Sequence, residues 1–533
     1  MAGDCAGALI ARVKAVNTMH TATQEGLRRL DEWCEKRRQE IRGTADALDI
    51  TGTVYYVSGD GDDRNDGLTP QSAWKSLHRV STAALQTGDG VLFRRGDVFR
   101  GMITAQSGVA YGAFGTGEKP RLYGWDKNLA DPALWVETDR AHHIWKLTER
   151  ILDPGTLVFD EGRAHAVKLI PSYKNGRFVC RDDESRPFDM RREMRRDLDI
   201  YWHFEDQLTT VPSRGEDFPI PEMTLESLGE LYLRCDGGNP GTVFSSIEAL
   251  TRRPMFAVGD CANVRIDNLC MKYIGLHAVA AGGECVAGLR VTNCEIGWIG
   301  GTIQHYLGTD PNYPQGGRGT VTRFGNGIEI YGGCKDYLVR NCYVYQVYDA
   351  GITHQISTFG KRYALTNVRY QDNLVEKCVY GIEYFLDMND GDAESYMDEI
   401  EMCGNILRDS GYGWGQQRHN TDTPAHIKGW SYVNRARHYC IHDNVFGRAA
   451  YRMLHLVARE AESCPRMWAN TYMQRLGGLL GQYGANAEKE PELLVFDERA
   501  EEKIRTVFGD EGARVYAIVD APSAVEKGET SAG

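Results

Sequence analysis

The sequence has no apolar run approaching the ~18 residues that cross a membrane. Its opening, MAGDCAGALIARVKAVNT, also lacks the apolar stretch of about 7–15 residues that marks a secretory signal. No block of basic residues occurs: 61 Lys and Arg stand against 74 Asp and Glu, a net charge of −13, which argues against nucleic acid or a membrane surface as partner. The 14 cysteines include no paired CxxC set of the kind that holds zinc. Together these absences predict a soluble, cytoplasmic chain with reduced thiols. What is present, 42% hydrophobic residues and 59 glycines, fits a folded, turn-rich β protein.

Short phrases repeat along residues 263–484. Each is an alternating apolar run, an Asn and a second short run, and the Asn residues are Asn268, Asn293, Asn341, Asn373, Asn405, Asn444 and Asn470. Their spacings of 25, 48, 32, 32, 39 and 26 residues describe a solenoid whose turns tolerate insertions. Alternation with period two makes each turn strands, so the expected fold is an all-β, right-handed parallel β-helix. Cys270, Cys294 and Cys342 follow the repeated Asn by one or two positions, where a small apolar residue packs inside the coil.

Around this solenoid the chain divides into five expected parts. Residues 1–50 read as helical: Thr21 and Gln24 form a capping box, and Leu27, Leu30, Cys34 and Ile41 share one face. Residues 51–122 open the β-helix. Residues 123–250 lose the period and read as an inserted β-rich module, 251–484 hold the main coils, and 485–533 form a C-terminal segment with a polar tail. In the opening part, Asp60, Asp62 and Asp66 lie in an acidic Gly/Asn loop that offers oxygen ligands to calcium, although the same residues also make plain turns.

Aligning the coils by a Gly-aliphatic phrase predicts one outward column: His277, Glu329, Thr353, Glu383 and Gly415. Coils stack about 4.8 Å apart, so acids in adjacent coils lie near 5 Å and acids two coils apart near 10 Å. Those separations match the ~5–5.5 Å of retaining and ~6.5–9.5 Å of inverting glycosidases. Glu383 with Asp349 is the favoured catalytic pair, with Glu329 and Asp387 as alternatives. Sugars bind on flat aromatic rings flanked by polar groups, and that requirement selects His277, His354, Gln355, Tyr384, Trp414, Gln417, Arg418, His426, Lys428 and Trp430.

The segments NGIEIYG, YDAGITHQ, YGIEYFLD, GYGWGQQR and AHIKGW, with the opening YYVS strand, resemble bacterial right-handed β-helix proteins of the pectate-lyase-like superfamily. They are most similar to its glycoside-hydrolase-like members, and the resemblance spans roughly residues 53–484. It implies a glycosidase cleaving an oligosaccharide in the lateral groove, with no cofactor. Exo-action is expected, because residues 301–324 interrupt the coil just before Glu329 and can close one end of the groove. YFLDMND only loosely echoes the WLDW phrase of some β-helix xylosidases, so their catalytic assignment does not carry over. A polysaccharide lyase acting on uronic-acid glycans and a non-catalytic glycan-binding β-helix are the open alternatives, and a homo-oligomer is compatible with each.

Overall fold

Three parallel faces wind around one apolar core. Face 1 contains Val279–Ala287, Ala350–Ser357, Tyr380–Asp387, Ala425–Val433, Arg452–Ala458 and Leu479–Ala485, together with the first half of Ile328–Arg340. Face 2 contains Arg290–Thr292, Ala364–Gln371, Tyr396–Cys403 and Ala436–His442. Face 3 contains Cys270–Ile274, Glu295–Ile299, Tyr343–Val347, Leu374–Glu376, Ile406–Arg408, Thr471–Arg475 and Arg514–Ile518. The chain passes from face 1 to face 2 to face 3 and rises one rung per turn, which is a right-handed parallel β-helix. The structure, a computed structural model, describes residues 26–174, 177–204, 208–209, 220–221, 226–307, 320–358, 360–387, 394–418, 423–433, 435–486 and 489–518.

The corner between faces 2 and 3 is built by left-handed backbone at Asn268, Asn293, Asn341, Asp372, Gly404, Asp443 and Ala469, with φ between 52° and 66°. Asn, Asp and Gly tolerate this region with little strain, which explains their recurrence there. The seven repeated Asn residues therefore belong to two columns. Asn268, Asn293 and Asn341 take the left-handed corner themselves, whereas Asn373, Asn405, Asn444 and Asn470 follow it by one residue and turn inward.

The inward set forms a ladder. Asn373 Nδ2 donates to Asn405 Oδ1 (2.9 Å), Asn405 to Asn444 (2.9 Å), Asn444 to Asn470 (3.0 Å), and Asn470 to Asp510 Oδ2 (2.8 Å). Each Oδ1 also accepts the backbone N–H one rung below, as Asn405 Oδ1 does from Asn373 N at 3.0 Å. Removing one buried amide orphans several groups at about 1–3 kcal/mol each. Asn405→Ala is therefore expected to lower the unfolding midpoint markedly, whereas Cys403→Ala, at the half-buried face-2 side of the same corner, should leave it nearly unchanged.

The amphipathic face of the N-terminal helix is as expected where it is described. Leu30, Cys34 and Ile41 are buried against Tyr343, Leu374, Ile406 and Met473 of face 3. The Thr21–Gln24 capping box lies outside the described residues. The helix's charged side is not simply solvated: Arg42 grips Glu295 through two bonds (2.8 and 3.0 Å), and Arg38 reaches Glu376 (3.0 Å). At the other end, Phe496, Ala500, Ile504 and Phe508 plug the core beyond the last rung. Among the described residues every cysteine is a free thiol.

Three stretches leave the coil at one place, the corner from face 3 back to face 1. The longest follows Arg121–Tyr123 and builds its own sheets, in which Leu228–Arg234 pairs with Asp199–His203 and Ile144–Leu147. A core of Trp135, Trp202, Leu157, Phe159 and Leu231 holds it together. The second is the hairpin of Thr302–Leu307 with Thr320–Phe324, and the third is the short 3₁₀ segment Trp414–Gln417. All three border face 1.

Candidate active site

Along face 1, Ile328, Ile330, Ile352, Ile382, Tyr384 and Ile427 enter the core, so the alternate residues point outward. Strand register stacks Ala280 under Glu329, Thr353 under Glu383, Glu383 under Lys428, Lys428 under His455 and His455 under Gln482. Glu329 falls under Thr353, because Ile328↔Ile352 and Tyr331↔Gln355 keep one offset. Glu329 and Glu383 thus lie two rungs apart, about 9–10 Å along the axis.

This column corrects the sequence-based one at both ends. His277 precedes the strand, and Ala280 takes the rung position below Glu329. Gly415 lies in the Trp414–Gln417 corner segment, and Lys428 takes the rung above Glu383. The phrase GYGWG mimics a rung but has a left-handed Gly411 (φ 84°), which breaks the alternation.

Three carboxyl groups meet at this face in three different environments. Glu383 is only 6% exposed, accepts a hydrogen bond from Trp430 Nε1 at 2.7 Å, and is pushed up to about 8 by burial and then by the charge of Asp349. Asp349 ends the corner just before Ala350–Ser357 and pairs with the Arg418 guanidinium. Burial also raises Asp349, with Arg418 opposing. Glu329 keeps its carboxyl low: burial would raise it, but His277, 2.9 Å away, and Asn326 Nδ2 (2.5 Å) outweigh that effect. The Asn326 backbone N–H donates to His277 Nδ1 at 3.0 Å.

Lys428 and Arg418 flank the acids. Lys428 Nζ sits 4.1 Å from the Trp430 ring centre, and Arg418 and Lys428 each sit 5.7 Å from that of Tyr380. Buried polar atoms without a hydrogen-bond partner also collect here: Thr353 Oγ1, Gln355 Oε1, Arg418 Nε and His455 Nδ1. Such atoms are rare inside proteins and are expected where a ligand's polar groups complete them. Asp387 stays at the margin, with Ser357 Oγ 3.5 Å away.

Several residues selected for sugar binding have structural places instead. His354 points into the core, where Nδ1 bonds Tyr370 Oη at 2.9 Å and the ring stacks on Tyr384; burial drives it down to about 3. Tyr384 is likewise internal, and its ring fills the space that a side chain at Gly429 would need (2.4 Å). His426 bonds Ser410 Oγ at 2.8 Å and the Gly447 carbonyl, and burial lowers it to about 4. Trp414 packs on Tyr348 and donates to the Gln346 carbonyl at 2.8 Å. It lies so close to Gly301 that a Cβ there would meet its ring at 2.3 Å. Gln417 ties the large insertion to the solenoid through Ala166 O (2.8 Å) and Lys168 N (3.3 Å). Glu329, Asp349, Glu383, Gln355, Arg418, Lys428, Trp430 and the imidazole of His277 are the selected residues that face 1 does bring together.

The acidic loop of residues 60–66 is held by its own bonds. Asp60 pairs with Arg94 (2.7 Å), Asp62 with Arg64 (2.5 Å), and Asp66 accepts from Ser72 Oγ (2.6 Å). Their oxygens do not converge on a common point. Among the described residues only Glu401, Cys440 and His442 bring three metal-ligand types together, and their partners are already in place, with Gln371 on Glu401 and Asp443 on His442. Hollows of about 330 and 270 Å³ lie along face 3 beside the N-terminal helix, where Lys272, Glu295 and Glu376 are engaged by one another and by helix arginines. No helix among the described residues is long and apolar enough to cross a membrane.

No family model and no curated protein matches the chain. Solved structures do, at low identity. A XylC–xylose complex is 10% identical, with 83% of this chain and 73% of that chain covered and a TM-score of 0.40. The lacto-N-biosidase of glycoside hydrolase family 136 from Eubacterium ramulus is 13% identical, with 92% and 70% covered and a TM-score of 0.35. A rhamnogalacturonan lyase is 9% identical, with 79% and 74% covered and a TM-score of 0.25. The parallel β-helix itself rests on the strand register of this chain, and what it does must be argued from face 1.

Proposed function

We propose that the protein is a glycoside hydrolase acting on an oligosaccharide at the face-1 corner. Glu383 is the general acid and Asp349 the nucleophile or base. One arrangement carries this reading: two neighbouring buried carboxyls have different partners among the described residues, Asp349 paired with the Arg418 guanidinium and Glu383 accepting only from Trp430 and pushed up to about 8 by burial and by the Asp349 charge. Environments that push paired acids apart assign the acid and base roles. Glu383 delivers its proton to the glycosidic oxygen as the bond breaks. Asp349 then either attacks the anomeric carbon or activates a water on the opposite side of the ring. The hairpin of Thr302–Leu307 with Thr320–Phe324 stands at the same corner and favours cleavage at a chain end.

Activity on aryl glycosides is expected to fall above about pH 8, as Glu383 loses its proton. The Trp430 hydrogen bond favours ionised Glu383, so Trp430→Phe should move that alkaline limb to higher pH. A limb that stays in place or moves down would remove Glu383 from the acid role. Lys428, stacked one rung above Glu383, favours a second reading: β-elimination from a uronate, with Lys428 taking the proton α to the carboxylate. Ultraviolet absorbance from an unsaturated product separates it from hydrolysis.

A further inference from the structure

Beside Asp349, where the large insertion meets the hairpin, Lys168 and Arg323 are both buried within range of one carboxylate, Asp153. Both Asp153 oxygens are already engaged, Oδ1 by Lys168 and Oδ2 by the amide of Ile303 (2.6 Å). Arg323 is 4% exposed and forms no ion pair among the described residues. Its Nε and Nη2 donate to the carbonyls of Gly301 (2.7 Å) and Gly155 (2.8 Å), while Nη1 is buried without a partner. The guanidinium lies 4.4 Å from the ring centre of Tyr348, the residue before Asp349. Half-buried Arg181 of the insertion lies within electrostatic range of both Tyr348 and Arg323, and among the described residues it makes no hydrogen bond or ion pair.

Two arginines that repel each other gain little from a shared aromatic ring, which cannot offset the loss of hydration. Buried charge of one sign persists where a counter-ion completes it. We infer that Arg181 and Arg323 form an anion subsite, so that the sugar bound next to Asp349 carries a charged group, a uronate carboxylate or a sulfate ester. Arg323 presents its free Nη1 to an oxygen of that group, and Arg181 supplies the second cation from the insertion. The assignment rests on the face-1 site proposed above and names its substrate class.

Binding tests it without requiring turnover. Saturation-transfer NMR on the full chain would compare D-glucuronate and D-galacturonate, D-glucose 6-sulfate, and neutral D-glucose and D-galactose. The charged sugars are expected to bind at least about tenfold more tightly than their neutral counterparts, with the uronate and sulfate arms identifying the group. Arg181→Gln, at a half-buried position that tolerates change, and Arg323→Gln should each remove that preference. Circular dichroism confirms that the variants are folded. Equal binding of neutral sugars, no binding by any of these sugars, or a preference that survives Arg181→Gln would overturn the subsite. A charge preference without hydrolysis of the matching aryl glycosides would count against the hydrolase and leave the subsite standing. Hydrolysis of neutral glycosides without that preference would do the reverse.

Discussion

Glu383→Gln is expected to lower kcat by about 10²–10⁴-fold while leaving oligosaccharide binding intact. The amide keeps the shape of the carboxylic acid and can still meet Trp430, but it has no proton to give. The effect should be smaller for aryl glycosides with good leaving groups, which depart without protonation; a uniform loss on all leaving groups would argue against an acid role. The same variant reports on stability. The pKa of Glu383 is raised from its ordinary 4.5 to about 8 in the folded protein, so the folded state holds that proton more tightly than the unfolded chain. Its contribution is complete below about pH 4.5 and is lost progressively as pH rises to about 8. Glutamine cannot ionise, so Glu383→Gln should unfold at a higher temperature than wild type at pH 9, with the difference vanishing near pH 4. A difference that is constant with pH would contradict the buried, protonated state.

Lys168→Met is expected to have the largest effect on stability. Lys168 and Asp153 are each 1% exposed and form a salt bridge with each other. Burial lowers Lys168 to about 8, which still leaves it charged at neutral pH. Removing the cation takes away the one ion-pair partner of Asp153 among the described residues, and breaking such a buried pair typically costs ~3–5 kcal/mol, of which the weaker attraction of Arg323 offsets a part. Asp153→Asn in the Lys168→Met background should recover much of the loss, because an amide oxygen can still accept the Ile303 N–H without carrying charge. Denaturant unfolding of the two variants decides the point; equal midpoints would mean that the unpaired Asp153 charge is not what destabilises Lys168→Met.

Much of this architecture was legible in the sequence. Asn268, Asn293 and Asn341 mark a corner because few residues adopt left-handed backbone, and the alternation around Ile328–Ile330 and Ile382–Tyr384 places Glu329 and Glu383 outward. The register failed where chain between rungs imitates a rung. Leu276 and Ala278 are both buried, as rung residues are, which shifted His277 into the column. The Gly-aromatic phrase around Trp414 did the same for Gly415. His354 and Tyr384 were misread because polar and aromatic side chains can satisfy one another inside a wide coil, as these do with Tyr370 and Tyr439. Arg181, Lys168 and Arg323 carried no local signal. They meet only when the insertion folds back on the corner, a long-range event that spacing does not encode.

The asparagine ladder has a direction. Every side-chain amide in it donates toward the C-terminal end, so their dipoles add, and the last acceptor is the carboxylate of Asp510. A carboxylate has only lone pairs to offer and cannot pass a donor to another coil. Asp510 therefore acts as a chemical full stop: it ends a polar chain that would otherwise present an unsatisfied template to the next rung, including one supplied by another molecule.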